Sequence, residues 1–215
     1  MNRPAPLLRG WAHVVAFPMM VIGGALLIGL RADDAGSRLL LAVYVGGTAT
    51  MFGVSALYHR VPWSPTLKAR LQKCDRSAIF LAIAGGYTPV AALCLEGRLR
   101  LAVLAGVWVG SLAGMALVWI PSVHRAWKGA SYIVVSWVAA IALPDLARGL
   151  GTTGFVLILA GGVCYTIGAA AFAAHWPDPW PRVFGFHEVF HAFTIVAASL
   201  QFTAMAVVVA PRLSA

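Results

Sequence analysis

The feature that most constrains this chain is a series of long apolar stretches that carry almost no charge. Seven of them run over roughly 11–30, 39–58, 77–95, 99–120, 129–146, 151–174 and 185–210. A helix that crosses a bilayer needs about 20 mostly apolar residues, and each stretch comes near that length. None alternates apolar and polar residues with the period of two that a barrel strand requires. The sequence therefore predicts an all-α integral membrane protein with seven transmembrane helices. The seven spans nearly exhaust the 215 residues, so residues 1–215 form a single transmembrane domain. The fifth span is the shortest, and Pro144 and Asp145 interrupt its end. The longest connection is expected over 59–76, a basic loop of 18 residues. The first span does not read as a cleaved signal peptide, because no short apolar run ends there at a small-residue cleavage site.

Composition agrees: 60% of the residues are hydrophobic and 11% are charged, against about 25% charged in soluble domains. The formal net charge of +9 would suggest nucleic acid in a soluble protein. In a membrane protein it is read by side instead. With seven spans, one side holds Arg3, Arg9, Arg60, Lys68, Arg70, Lys73, Arg76, Arg125, Lys128 and Arg182, which is ten. The other holds Arg31, Arg38, Arg98, Arg100, Arg148 and Arg212, which is six. Cytoplasmic loops carry the excess of Lys and Arg. The N-terminus is therefore expected in the cytoplasm and the C-terminus outside. The basic loop reads as a topology signal and a contact for anionic headgroups, with membrane lipids as the partners and no nucleic acid. Cys74, Cys94 and Cys164 are an odd number without CxxC spacing, which suggests neither a disulfide framework nor a zinc ribbon.

Ionisable groups at membrane depth are costly and mark candidate sites. His59 closes span 2, with Ser55 one turn earlier on the same face. Asp75 precedes span 3. His187 and His191 open span 7 at i, i+4, a spacing that lets two imidazoles reach one metal ion. The predicted topology brings all five to one membrane depth from three helices. Three imidazoles and an open position match a catalytic zinc site, and a nearby carboxylate can orient a ligand or its water. His13, His124 and His175 read as packing residues that hydrogen-bond between helices. Tyr58, Trp63, Trp127, Trp176 and Trp180 read as an interfacial belt. The segment His187-Glu188-Val189-Phe190-His191 also spells H-E-x-x-H. In metalloproteases of that motif the Glu is the general base, so a membrane metalloprotease is an alternative. Glu188 lies about 100° around the helix from His187, off the face the two histidines share.

These residues resemble a known family. Ser55-Ala56-Leu57-Tyr58-His59 is similar to its S-x-x-x-H at the end of the second span. Asp75-Arg76-Ser77-Ala78-Ile79-Phe80, followed by Ala84-Gly85-Gly86-Tyr87-Thr88-Pro89, matches the segment opening its third. His187 to His191 matches its H-x-x-x-H in the seventh. Over essentially its whole length the chain resembles the bacterial hemolysin III proteins of the progestin and adipoQ receptor superfamily. The resemblance implies Zn2+ near the cytoplasmic face of a multi-pass bacterial plasma membrane protein, held by His59, His187 and His191. Asp75 and Ser55 would sit beside the metal and contact its water. Family members often carry Glu and Asn ahead of a histidine in the first span. Arg9-Gly10-Trp11-Ala12-His13 keeps only the histidine, which leaves His13 at most a partner of the ligands.

By the same resemblance the expected activity is a ceramidase-like, zinc-dependent hydrolysis of a membrane lipid amide. A metal-bound water would attack the carbonyl, Asp75 would act as general base and Ser55 would orient the water. One alternative is a non-enzymatic membrane sensor with structural zinc. Another is a pore-forming cytolysin, as the family name suggests. A pore needs a polar lining, and the span centres here are Ala, Val, Leu and Gly.

Overall fold

The computed structural model describes residues 5–213. Arg3, one of the ten basic residues assigned above to one side, lies outside them. The described chain is a bundle of helices: α1 (Trp11–Arg31), α2 (Ala35–Arg60), α3 (Pro65–Cys94), α4 (Gly97–Trp119), α5 (Arg125–Ser136), α6 (Leu143–Ala174), α7 (Phe186–Ala204) and α8 (Ala210–Leu213). A 3-10 segment, Val138–Ala142, joins α5 to α6, and a π-helical segment, Met205–Val209, joins α7 to α8.

Among the described residues six helical stretches are long and apolar enough to cross a membrane, one fewer than the seven expected. The expected spans 129–146 and 151–174 are not separated by a loop. They belong to one stretch of 50 residues, Arg125–Ala174. The helical stretch continues through Pro144 and Asp145, because proline in the first turn of α6 lacks only an N–H that would have no helical partner there anyway. The break comes later, at Gly151, with φ 65° and ψ 175° inside α6.

The expected 18-residue loop 59–76 is also corrected. Helix α2 runs to Arg60 and α3 begins at Pro65, which leaves a short linker. Proline sits in the first turn of α3, where its fixed φ suits helix initiation. Lys68, Arg70 and Lys73 therefore stand on helix α3, not on a loop.

The bundle is apolar outside as well as inside. On α1 Val15, Met19, Ile22, Leu26 and Leu30 are exposed at three- and four-residue intervals, one face of a helix. A soluble helix buries such a stripe, and here it faces outward as a lipid-exposed helix would. The interior is filled by Leu41, Tyr44, Phe80, Val103, Val107 and Met205, all fully buried.

Contacts sort the helix ends into two groups. At one end the backbone N–H groups of Leu7 and Leu8 bond to the carbonyls of Arg182 and Val183 at 3.0 and 3.1 Å. There too, Lys73 stacks over Trp119 at 5.2 Å and the Tyr132 hydroxyl donates to the Arg76 carbonyl at 3.1 Å. At the other end Arg212 donates to the Gly149 carbonyl at 2.8 Å, and Cys94 packs against Gly149. The Ser37 hydroxyl lies between the Asp34 carboxylate and the Leu213 carbonyl. Asp34 caps α2 by accepting from the N–H groups of Gly36 and Ser37. Its bonds with Ser37 hold its carboxyl below the ordinary value, because they favour the charged form.

Helices α2 and α3 approach at contact distance, and this fixes their register. A Cβ on Gly47 would stand 2.4 Å from the Leu81 carbonyl oxygen, and one on Gly85 would stand 2.8 Å from that of Val43. Both obstacles are backbone and cannot rotate away. Gly47→Ala is therefore expected to destabilise the bundle by about 1–3 kcal/mol, the usual cost of overpacking. Gly46, next in sequence, has nothing within 4 Å of a built Cβ, so Gly46→Ala should leave stability unchanged. Thermal unfolding of the two variants in the same detergent checks the contrast.

Candidate metal centre

The α2–α3 register places Ser55 against Asp75. Ser55, buried at 2% exposure, interacts with the Asp75 side chain. One turn further on, in the last turn of α2, stands His59. Helix α7 begins opposite. Its first N–H groups need acceptors, and two carboxylates supply them. Glu188 accepts from the Gly185 N–H at 2.9 Å and Asp178 from the Phe186 N–H at 3.0 Å. The helix therefore starts at a fixed residue, which sets where His187 and His191 project.

Those two imidazoles meet His59. The ring centroids of His59 and His187 are 4.8 Å apart, those of His59 and His191 5.3 Å, and those of His187 and His191 4.6 Å. One ligand nitrogen from each lies within 4.8 Å of the others. Tetrahedral zinc with bonds of about 2.0–2.1 Å holds its nitrogens roughly 3.4 Å apart, so the three nitrogens would need only modest side-chain rotation to share an ion. The donor chemistry fits as well. His59 Nε2 and His191 Nδ1 are buried with no hydrogen-bond partner. Such groups are rare because they are costly, and coordination or hydrogen bonding to a bound group removes the cost. The cluster contains the three expected histidines and no carboxylate. Asp75 is joined to it through Ser55, one helical turn from His59.

The other singled-out residues separate. His124 caps α5 by accepting from the Ala126 N–H at 3.3 Å. His175 packs edge-on against Phe186. His13, expected as packing with at most a supporting role, lies in the centre: its ring stacks on His191 with centroids 4.0 Å apart and planes 12° off parallel. Glu188 is 3% exposed and uses both oxygens structurally, one on the Gly185 N–H and the other on Arg9. That leaves the H-E-x-x-H reading without a free base. The Arg9–Glu188 pair was not foreseen. The residues are 179 positions apart, and nothing local in either sequence context links them.

Beside the cluster, between α1 and α7, lies a cavity of about 140 Å3 lined by Leu8, Trp11, Ala12, Phe184, Glu188, His191 and Ala192. The cavity is mostly apolar, with His191 and Glu188 as its polar wall.

The chain is 27% identical over 208 residues to Hemolysin-3 of Bacillus cereus, covering 96% of this chain and 90% of that one. It is 29% identical to the Hemolysin-3 homolog of Bacillus subtilis, over 71% of this chain and 73% of the relative. It is 24% identical to the human monocyte to macrophage differentiation factor, over 91% and 80%. The family model described as haemolysin-III related matches residues 1–202, and the chain belongs to that family.

Proposed function

We propose that this protein is a zinc-dependent hydrolase of a membrane lipid amide, with its site near the cytoplasmic face of a bacterial plasma membrane. The observation that carries the reading is the meeting of three imidazoles from α2 and α7, with a carboxylate tied in one turn away. Three protein ligands leave a position open, as catalytic zinc sites do, whereas structural sites are closed by four. That favours the hydrolase over a sensor with structural zinc. The filled, apolar interior disfavours a pore.

The long stretch Arg125–Ala174 is proposed to cross twice, turning at Gly151, which makes seven crossings. What supports this is the pairing of Tyr132 with Arg76 near its start and of Gly149 with Cys94 at its middle. The second pairing belongs to the opposite end of the bundle. Basic residues crowd the end that holds His59, so the positive-inside tendency puts that end, with the N-terminus, in the cytoplasm.

In this reading His59, His187 and His191 hold the ion. Zinc supplies a Lewis acid and lowers the pKa of a water. Asp75 takes the proton on its carboxylate, and Ser55 holds that carboxylate in place, a role different from the water-orienting one expected above. The apolar cavity beside His191 accommodates alkyl surface of the substrate and keeps bulk water away. Asp75→Asn is expected to retain zinc while lowering turnover of a fluorescent short-chain ceramide by about 10²–10⁴-fold, the range of general-base catalysis. Unchanged turnover in this variant, or a zinc-loaded wild type that cleaves no amide lipid, overturns the proposal.

A further inference from the structure

The stacking of His13 on His191 sets a geometric limit. The His191 ring nitrogens offer their lone pairs in the plane of the ring, so an ion held there would be bonded in that plane at about 2.0–2.1 Å. The His13 ring is nearly parallel, with its centroid 4.0 Å away. Its nitrogens are therefore too far to coordinate the same ion, yet close enough to reach another group that the ion holds. His13 is 3% exposed, and neither of its ring nitrogens has a hydrogen-bond partner. Phe52 closes its edge, with centroids 5.1 Å apart.

A wall of the cluster would not need those nitrogens. Phenylalanine would give the same face to His191 and the same edge to Phe52. It would also avoid burying a donor and an acceptor without partners, which destabilises a fold. An imidazole at this position costs stability unless something bonds its nitrogens, a pattern expected where function, not packing, selects the residue.

We infer that His13 is a positioning residue of the metal centre. Its ring nitrogen hydrogen-bonds to whatever fills the metal's remaining position, and it does not coordinate the ion. The inference rests on the reading of His59, His187 and His191 as ligands. It adds α1 to a site otherwise built from α2, α3 and α7.

The test measures zinc stoichiometry and affinity by chelator competition in wild type, His13→Phe and His13→Gln, together with thermal unfolding of each protein stripped of metal. All three proteins should bind one zinc per chain. His13→Phe should bind it 10–100-fold more weakly, the loss typical of removing a partner just outside the ligands. His13→Gln, which keeps a donor and an acceptor, should recover part of that loss. The metal-free His13→Phe protein should unfold at a temperature no lower than metal-free wild type. A merely structural role would not separate affinity from stability in this way. If His13→Phe binds zinc as wild type does, His13 is packing and the inference falls. If it loses stoichiometric zinc altogether, His13 is a ligand and the inference also falls. A wild type that binds no zinc overturns the underlying ligand assignment itself, a result distinguishable from both.

Discussion

Purified wild-type protein is expected to hold one zinc per chain, and His191→Ala is expected to lose it. His191 is the best buried of the three clustered imidazoles, at 3% exposure. It faces His59 and His187 at ring separations of 5.3 and 4.6 Å. Removing it leaves two nitrogens, too few to hold a tetrahedral ion against water. The affinity loss should exceed the 10–100-fold that follows removal of an outer partner, and metal analysis after gel filtration with a mild chelator reads it directly. The same variant separates metal loss from unfolding. Alanine at this position removes a buried unpartnered nitrogen but opens a void against His13, so the metal-free variant should still elute as a folded particle. A wild type without stoichiometric zinc would end the metal reading.

Arg9→Ala is expected to destabilise the protein by about 3 kcal/mol, the low end of the cost of stranding one member of a buried ion pair. Glu188 is 3% exposed and Arg9 21%. The burden therefore falls on the carboxylate, which keeps only the Gly185 N–H as a partner. Glu188→Ala should cost less, because Arg9 can turn toward water. The Arg9→Ala, Glu188→Ala double variant should be more stable than the sum of the single effects, since no buried charge is then unpaired. Thermal unfolding of the four proteins completes the cycle. If Arg9→Ala is neutral, the pair is a surface contact. If Glu188→Gln also abolishes lipid turnover while zinc stays bound, the metalloprotease-like role for Glu188 returns.

The three clustered histidines were legible in the sequence because polar residues are scarce in an apolar chain. His187 and His191 are one turn apart, which is local information. The meeting with His59 was expected only as a shared membrane depth, which is global information and depends on the number of crossings. The pairing of Ser55 with Asp75 was legible only as a shared depth. The contact itself depends on the α2–α3 register set at Gly47 and Gly85, which spacing does not reveal. The number of separate helices was misread for a definite reason. Hydropathy marks where the chain is apolar, and it was expected to fall at Pro144 and Asp145. A helix tolerates proline in its first turn, so the stretch Arg125–Ala174 runs on. The linker after α2 was overextended by the opposite error, since a charged segment was read as a loop although Pro65 starts a helix there. Arg9 with Glu188 and His13 with His191 join the first helix region to the last. No local pattern carries such pairings.

That closure between the beginning and the end of the chain bears on how the protein is made. His59 is synthesised early, and the other two candidate ligands arrive only with α7. Until the last helix has been inserted, a ribosome-bound intermediate holds one imidazole of the three and an Arg9 without its partner. The order of synthesis thus completes the three-histidine cluster only with α7, and a chain terminated before Phe186 lacks it.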